Sequence, residues 1–247
     1  MSAVVSPATT ARQSFRLSVY FWIVIAMAFF VFGGFGLRAM QRYATNDPAL
    51  PPVVHLHGLI FSGWMTLLIV QTYLINVRNV ALHRRLGTFG IGLGTAVIFM
   101  GGLITALGFR SAPTTTPNYY DLIYLSLMAV LAFGFLFTLA ISQVRNPENH
   151  RRLILFATIP LLPPGINRMY QVVFQLSYLP VLATYLTMAA IAAAILVHDW
   201  RTSRRITSAS MIGAAVVFGQ ELLHAPITRS NAFAEVASFL TGLVYYR

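Results

Sequence analysis

The stretch Val77-Arg78-Asn79-Val80-Ala81-Leu82-His83-Arg84-Arg85-Leu86 returns as Val144-Arg145-Asn146-Pro147-Glu148-Asn149-His150-Arg151-Arg152-Leu153, displaced by 150 − 83 = 67 positions. Each copy is a short polar corner between two long apolar runs. The two copies therefore mark equivalent corners of a structure that repeats a helix pair. Both copies enter their following run in the same direction, which predicts a parallel internal repeat about a pseudo-two-fold along the membrane normal.

Outward from these corners the chain is mostly apolar runs near the roughly 20 residues that a spanning helix needs. With 57% hydrophobic and 9% charged residues and a mean hydropathy of +0.70, the composition lies far from the usual soluble balance of about 25% charged. The reading is an all-α polytopic bundle of seven spans, at about 17–37, 54–77, 86–109, 122–144, 153–174, 179–197 and 208–224. Residues 1–16 read as a flexible tail, 17–226 as the transmembrane domain, and 227–247 as an interfacial C-terminal helix, with Pro226 ending the seventh span. The N-terminal run lacks a small-residue cleavage site at the expected place and reads as a retained first span. In the fifth run, Pro160, Pro163, Pro164 and Gly165 must kink or unwind the helix. Gly33-Gly34-x-Gly36 permits close packing or a kink in the first.

All 17 basic residues are arginine. Without lysine, a retinal Schiff base, pyridoxal phosphate chemistry and lysine-dependent phosphate loops are excluded. Without cysteine, disulfides, covalently attached haem, iron–sulfur clusters and thiolate metal sites are excluded as well. The arginines sit in corners and not on one face of a soluble domain, so no nucleic acid partner is expected. Eleven lie in the N-terminal segment and in the second, fourth and sixth corners, against five on the opposite side, with Arg168 inside a span. That asymmetry predicts a cytoplasmic N-terminus in a bacterial inner membrane, multi-pass, with the lipid bilayer as the first partner.

This topology sorts the six histidines by depth. His83, His150 and His198 fall at the cytoplasmic ends of spans, and His55, His57 and His224 at the outer ends. A two-tier layout suits haem b held by opposed imidazoles, with His83 facing His150 and His57 facing His224. Arg84 and Arg151 would then pair with the propionates. The same His-Arg-Arg corner also reads as an interfacial anchor on lipid headgroups.

In the outer half, Arg168 and Glu221 are intramembrane ionisable groups at similar depth, free to pair with each other or to serve a pocket with Asn167 and Gln71. Glu221-x-x-His224 shares one helix face. With His55 or His57 it offers a three-ligand metal site, against the simpler reading of a structural pair. His198-Asp199-Trp200-Arg201 reads as an ordinary interfacial anchor.

The segment from His55 through Gly87, with His-x-His-Gly, Trp64, Gln71 and His83-Arg84-Arg85-Leu86-Gly87, resembles a group of uncharacterised bacterial seven-helix membrane proteins with His-Arg-Arg-Leu corners. That resemblance implies a fold and no particular activity. More loosely, the alternating histidine depths are similar to two-haem transmembrane cytochromes b, which have six spans and clear intrahelical histidine pairs. The leading expectation is a membrane protein that binds haem b for electron transfer or handles a quinone-like substrate. Its rivals are an accessory subunit of a larger membrane complex and a carrier of a small molecule or lipid, with quinone and carotenoid as further ligands.

Overall fold

The computed structural model describes residues 17–111 and 119–244, and among these every regular element is helical. The helices are α1 (Val19–Ala44), α2 (Pro52–Asn76), α3 (Val80–Ser111), α4 (Tyr119–Ser142), α5 (Pro147–Thr158), α6 (Pro163–Val173), α7 (Val181–Ser203), α8 (Ser208–Thr228) and α9 (Asn231–Val244). The expected N-terminal tail lies outside the described residues.

Six of these, α1, α2, α3, α4, α7 and α8, are long and apolar enough to cross a membrane. Only 17% to 39% of each apolar window is buried within the molecule, so most of the apolar surface faces outward. Trp22, Phe99, Leu182 and Leu222 are among the large side chains left exposed. Such a belt would drive association in water and is what a multi-pass helical membrane protein presents to lipid.

The helices run further than the apolar runs predict because polar residues extend and cap them. α1 continues past Leu37 through an Arg38–Gln41 side-chain hydrogen bond of 2.6 Å, and an Arg42–Asp47 ion pair at 3.2 Å closes its end. Its chain reversal uses Asn46 at φ 51°, and α2 ends in the same way at Arg78, φ 60°. There the Arg78 N–H donates to the Ile75 carbonyl and the Asn79 N–H to Leu74, closing the last turn. α8 also overruns its expected stop and continues through Pro226 to Thr228. The ring removes one internal hydrogen bond, to the carbonyl four residues earlier, and only two helical residues follow it.

The proline-rich run breaks where the sequence requires. α5 stops at Thr158, Ile159–Leu161 form a 3-10 turn, and α6 starts at Pro163. The break lies in the centre of the core, with Ile159, Leu162 and Ile166 fully buried. α6 then packs along α1 at backbone distance: a Cβ on Gly34 would lie 1.9 Å from the Gly165 carbonyl oxygen, and one on Gly165 would lie 2.8 Å from that of Phe30. The glycines of α1 thus serve close approach. Gly213 on α8 against Phe156 and Gly94 on α3 against Phe137 do the same elsewhere. Two polar pairs fasten α6 to α7: Thr184 donates to the Asn167 amide oxygen, and Tyr170 and Thr187 share a hydrogen bond of 2.8 Å. α9 packs Phe233 and Ala237 against Tyr119, Ile123 and Tyr124 of α4, so one of its faces belongs to the bundle.

Candidate functional site

The starts of α1, α5 and α8 and the ends of α2 and α7 meet at one end of the bundle, which carries the arginine corners. Here the repeated sequence performs a repeated task. Asn79 caps α3 by accepting from the Leu82 N–H at 3.2 Å, and Asn146 caps α5 by accepting from Asn149 at 3.2 Å. One turn later each histidine reaches back to the preceding helix: His83 Nδ1 lies 3.4 Å from the Gln71 carbonyl oxygen, and His150 Nδ1 lies 2.9 Å from that of Ala140. The pair acts as a latch on its helix hairpin.

The next residues diverge. Arg84 and Arg85 are exposed, whereas Arg151 and Arg152 turn inward. Arg151 stacks its guanidinium 4.1 Å above the Tyr20 ring and holds Glu148 at 2.8 Å. Arg152 is 2% exposed, and its Nε donates to Asp199 Oδ2 at 2.8 Å, while its terminal nitrogen reaches Glu148. Asp199 is fully buried and also accepts from the Tyr20 hydroxyl at 2.6 Å and from Ser210. One carboxylate therefore joins α1, α5, α7 and α8. Three donors around one buried anion compensate its desolvation. The hydrogen bond from Arg152 also draws the Glu148 carboxyl below its ordinary value. In the His198-Asp199-Trp200-Arg201 corner, Trp200 and Arg201, the residues expected to anchor it, are exposed, while Asp199 is a buried structural centre that the anchor reading did not foresee.

At the far end of the bundle, α4, α7 and α8 enclose a second polar cluster. Asp121 lies in the first turn of α4 with its Oδ1 3.1 Å from His224 Nε2, ion-pair distance but off line for a hydrogen bond. The His224 ring lies 5.0 Å from that of Tyr124 and 5.4 Å from that of Tyr185. Tyr124 donates to the Gln220 carbonyl at 2.7 Å. Glu221 stands beside them, close enough for its charge to act on Tyr185. Four buried polar atoms here have no hydrogen-bond partner within the chain: Tyr185 Oη, Gln220 Oε1, Glu221 Oε1 and His224 Nε2. Buried polar atoms are nearly always satisfied in folded proteins, by the chain or by ordered water, which makes this cluster the candidate site.

Several expected groupings do not form. Among the described residues Arg168 and Glu221 make no ion pair: Arg168 donates to the Pro164 carbonyl at 2.8 Å and lies over Phe35, on the α1 side of α6. Asn167 is buried against Thr184 as a helix fastener. Gln71 belongs to the arginine-rich end, where its amide donates to the His83 carbonyl at 3.1 Å. The four candidate metal ligands also separate. His55 is exposed, His57 packs on Phe61 within reach of the Arg168 charge, and His224 faces Asp121. No group of three His, Asp or Glu side chains suited to a metal occurs among the described residues. Of the expected site, Glu221 and His224 stay together. Tyr124, Tyr185 and Gln220 join them unforeseen, since each reads in sequence as an ordinary helix residue.

Comparison of the chain with protein-family models, with curated proteins and with solved structures finds no match in any of the three.

Proposed function

We propose that this protein binds a small quinone-like molecule, one with hydrogen-bonding carbonyl oxygens, in the far-end cluster of Tyr185, Gln220, Glu221 and His224. The observation that carries the reading is the convergence of three buried polar atoms without a hydrogen-bond partner, Tyr185 Oη, Gln220 Oε1 and Glu221 Oε1, beside the His224–Asp121 pair. Tyr185 offers a donor to a carbonyl oxygen and Glu221 is a proton-exchanging group beside it, with the rings of Tyr124 and His224 packed nearby. Ionisable residues inside a membrane segment are costly and are retained for such tasks.

In this reading the broken α5–α6 segment counts as one crossing, giving seven spans with the arginine-rich end cytoplasmic in a bacterial inner membrane. The equivalent caps at Asn79 and Asn146 support a parallel repeat of the helix hairpin. The test is titration calorimetry of the purified full-length protein with a short-chain benzoquinone. Tyr185→Phe and Glu221→Gln should each weaken binding about tenfold, the worth of one good hydrogen bond, with unchanged thermal unfolding. Absence of binding, or unaltered affinity in both variants, refutes the proposal.

Haem b between His83 and His150 is the second reading. Its support is that both imidazoles turn Nδ1 to a carbonyl, the arrangement that leaves Nε2 for a metal. Against it, Arg151 is already held by Glu148 and Tyr20. A reduced-minus-oxidised spectrum of the purified protein decides: a b-type band lost in His83→Ala or His150→Ala supports haem, and a colourless protein removes it.

A further inference from the structure

Where α6 crosses α1, Gly34 meets Gly165 at backbone distance, and two arginines stand beyond this crossing on the side away from the arginine corners. Arg38 follows Gly34 by one turn, and Arg168 follows Gly165 by just under one. The Arg168 guanidinium lies 4.6 Å above the Phe35 ring, close enough to Arg38 for the two charges to act on each other. From α2, His57 lies within reach of the Arg168 charge and keeps a buried Nδ1 without a hydrogen-bond partner. Among the described residues the partners of Arg168 are neutral, the Pro164 carbonyl at 2.8 Å and the Phe35 ring, and Arg38 donates to the neutral Gln41 side chain at 2.6 Å.

We propose that Arg38, Arg168 and His57 form a binding site for a phosphate group, carried either by a free anion or by a lipid headgroup. The missing counter-charge identifies the occupant. All six side-chain acids of the sequence fall among the described residues, and none comes within ion-pair distance of these three. Asp47 pairs with Arg42, Asp121 with His224, and Glu148 and Asp199 with Arg151 and Arg152. A carbonyl and an aromatic face ease the desolvation of a guanidinium but cancel none of its charge, and a second arginine alongside adds repulsion. An anion from outside the chain removes both costs. Guanidinium groups bind phosphate oxygens in a matched fork. The donors here come from three helices, α1, α2 and α6, and a tetrahedral phosphate presents oxygens in as many directions, which a planar carboxylate does not. This site is independent of the polar cluster on α4, α7 and α8.

Thermal unfolding of the full-length protein in a neutral detergent tests the proposal, with inorganic phosphate titrated against chloride at constant ionic strength and phosphatidylglycerol titrated against phosphatidylcholine. The unfolding midpoint should rise saturably with at least one phosphate source. A response to inorganic phosphate assigns a free anion, and a response to phosphatidylglycerol without one to inorganic phosphate assigns a headgroup. Arg38→Gln and Arg168→Gln should each raise the half-saturating concentration about tenfold, the worth of one charge-assisted hydrogen bond. Arg168→Lys, which keeps the charge and loses the fork, should fall between wild type and Arg168→Gln. Arg38 is exposed, so Arg38→Gln leaves the fold intact and decides the matter even where Arg168→Gln fails to fold. Absence of a saturable response to both sources overturns the proposal, as does a response that Arg38→Gln leaves unchanged.

Discussion

Replacement of Asp199 by asparagine removes one negative charge from the centre of the arginine-rich end and keeps the shape. In the wild type this carboxylate accepts from Tyr20 at 2.6 Å, from Arg152 at 2.8 Å and from Ser210, with no exposed surface. Breaking a buried pair by removing one partner costs about 3–5 kcal/mol, because the remaining charge is left uncompensated. Arg152 still keeps Glu148, and asparagine can still accept through its amide oxygen, so the loss should fall near the lower limit, about 3 kcal/mol. For a chain of this size that corresponds to a fall of roughly 6–12 °C in the unfolding midpoint. The assay is thermal unfolding in a fixed detergent, followed by the double-mutant cycle of Asp199→Asn with Arg152→Met. Removal of both charges should cost less than the sum of the single changes by more than about 1 kcal/mol, because the groups act as one network. A variant Asp199→Asn within about 0.5 kcal/mol of the wild type, or strict additivity in the cycle, refutes the assignment of Asp199 as the fastening centre.

The α1–α6 contact should respond to single methyl groups. Gly34→Ala and Gly165→Ala push backbone against backbone and should each cost about 1–3 kcal/mol or more, whereas Gly36→Ala, with open space around it, should be neutral or slightly stabilising in the same melts. Loss of either repeated cap, by Asn79→Ala or Asn146→Ala, should cost about 1 kcal/mol. Equal losses at the two sites would show that the repeated asparagines do one job, and a neutral result at both would remove the capping account. Glu148 supplies a pH signature. Its folded carboxyl is held below its ordinary value by Arg152, so its contribution is present above the ordinary carboxylate range and is lost as pH falls through the lowered value. Because Glu148 is 61% exposed, that contribution is screened and small. Melting curves of wild type and Glu148→Gln should differ near neutrality and converge on acidification; a constant gap at all pH values would refute the ionic account.

The chain's character as a bundle of apolar helices was legible without coordinates, because runs of spanning length and short arginine corners report the solvent around each segment directly. The break at Pro160, Pro163 and Pro164 was equally local, since a missing N–H acts wherever the ring stands. Even the corner was half legible: its repetition flagged a shared task, and the asparagine caps and histidine latches supply it. The partners across helices were not legible. Arg168 and Glu221 fall at matching depth in sequence, yet depth along a helix says nothing about rotation around it, and α6 turns Arg168 toward α1. Asp199 lies in a helix-end motif that sequence order assigns to the headgroup region. Only the packing of α1, α5 and α8 around it makes it the most deeply buried acid of the fold. Tyr124, Tyr185 and Gln220 gain significance in the same way, through the unpartnered atoms that assembly brings together. Sequence determined which segments leave water; the tertiary structure decided which polar groups meet, because helix rotation and neighbour choice are set by side-chain packing across the whole bundle.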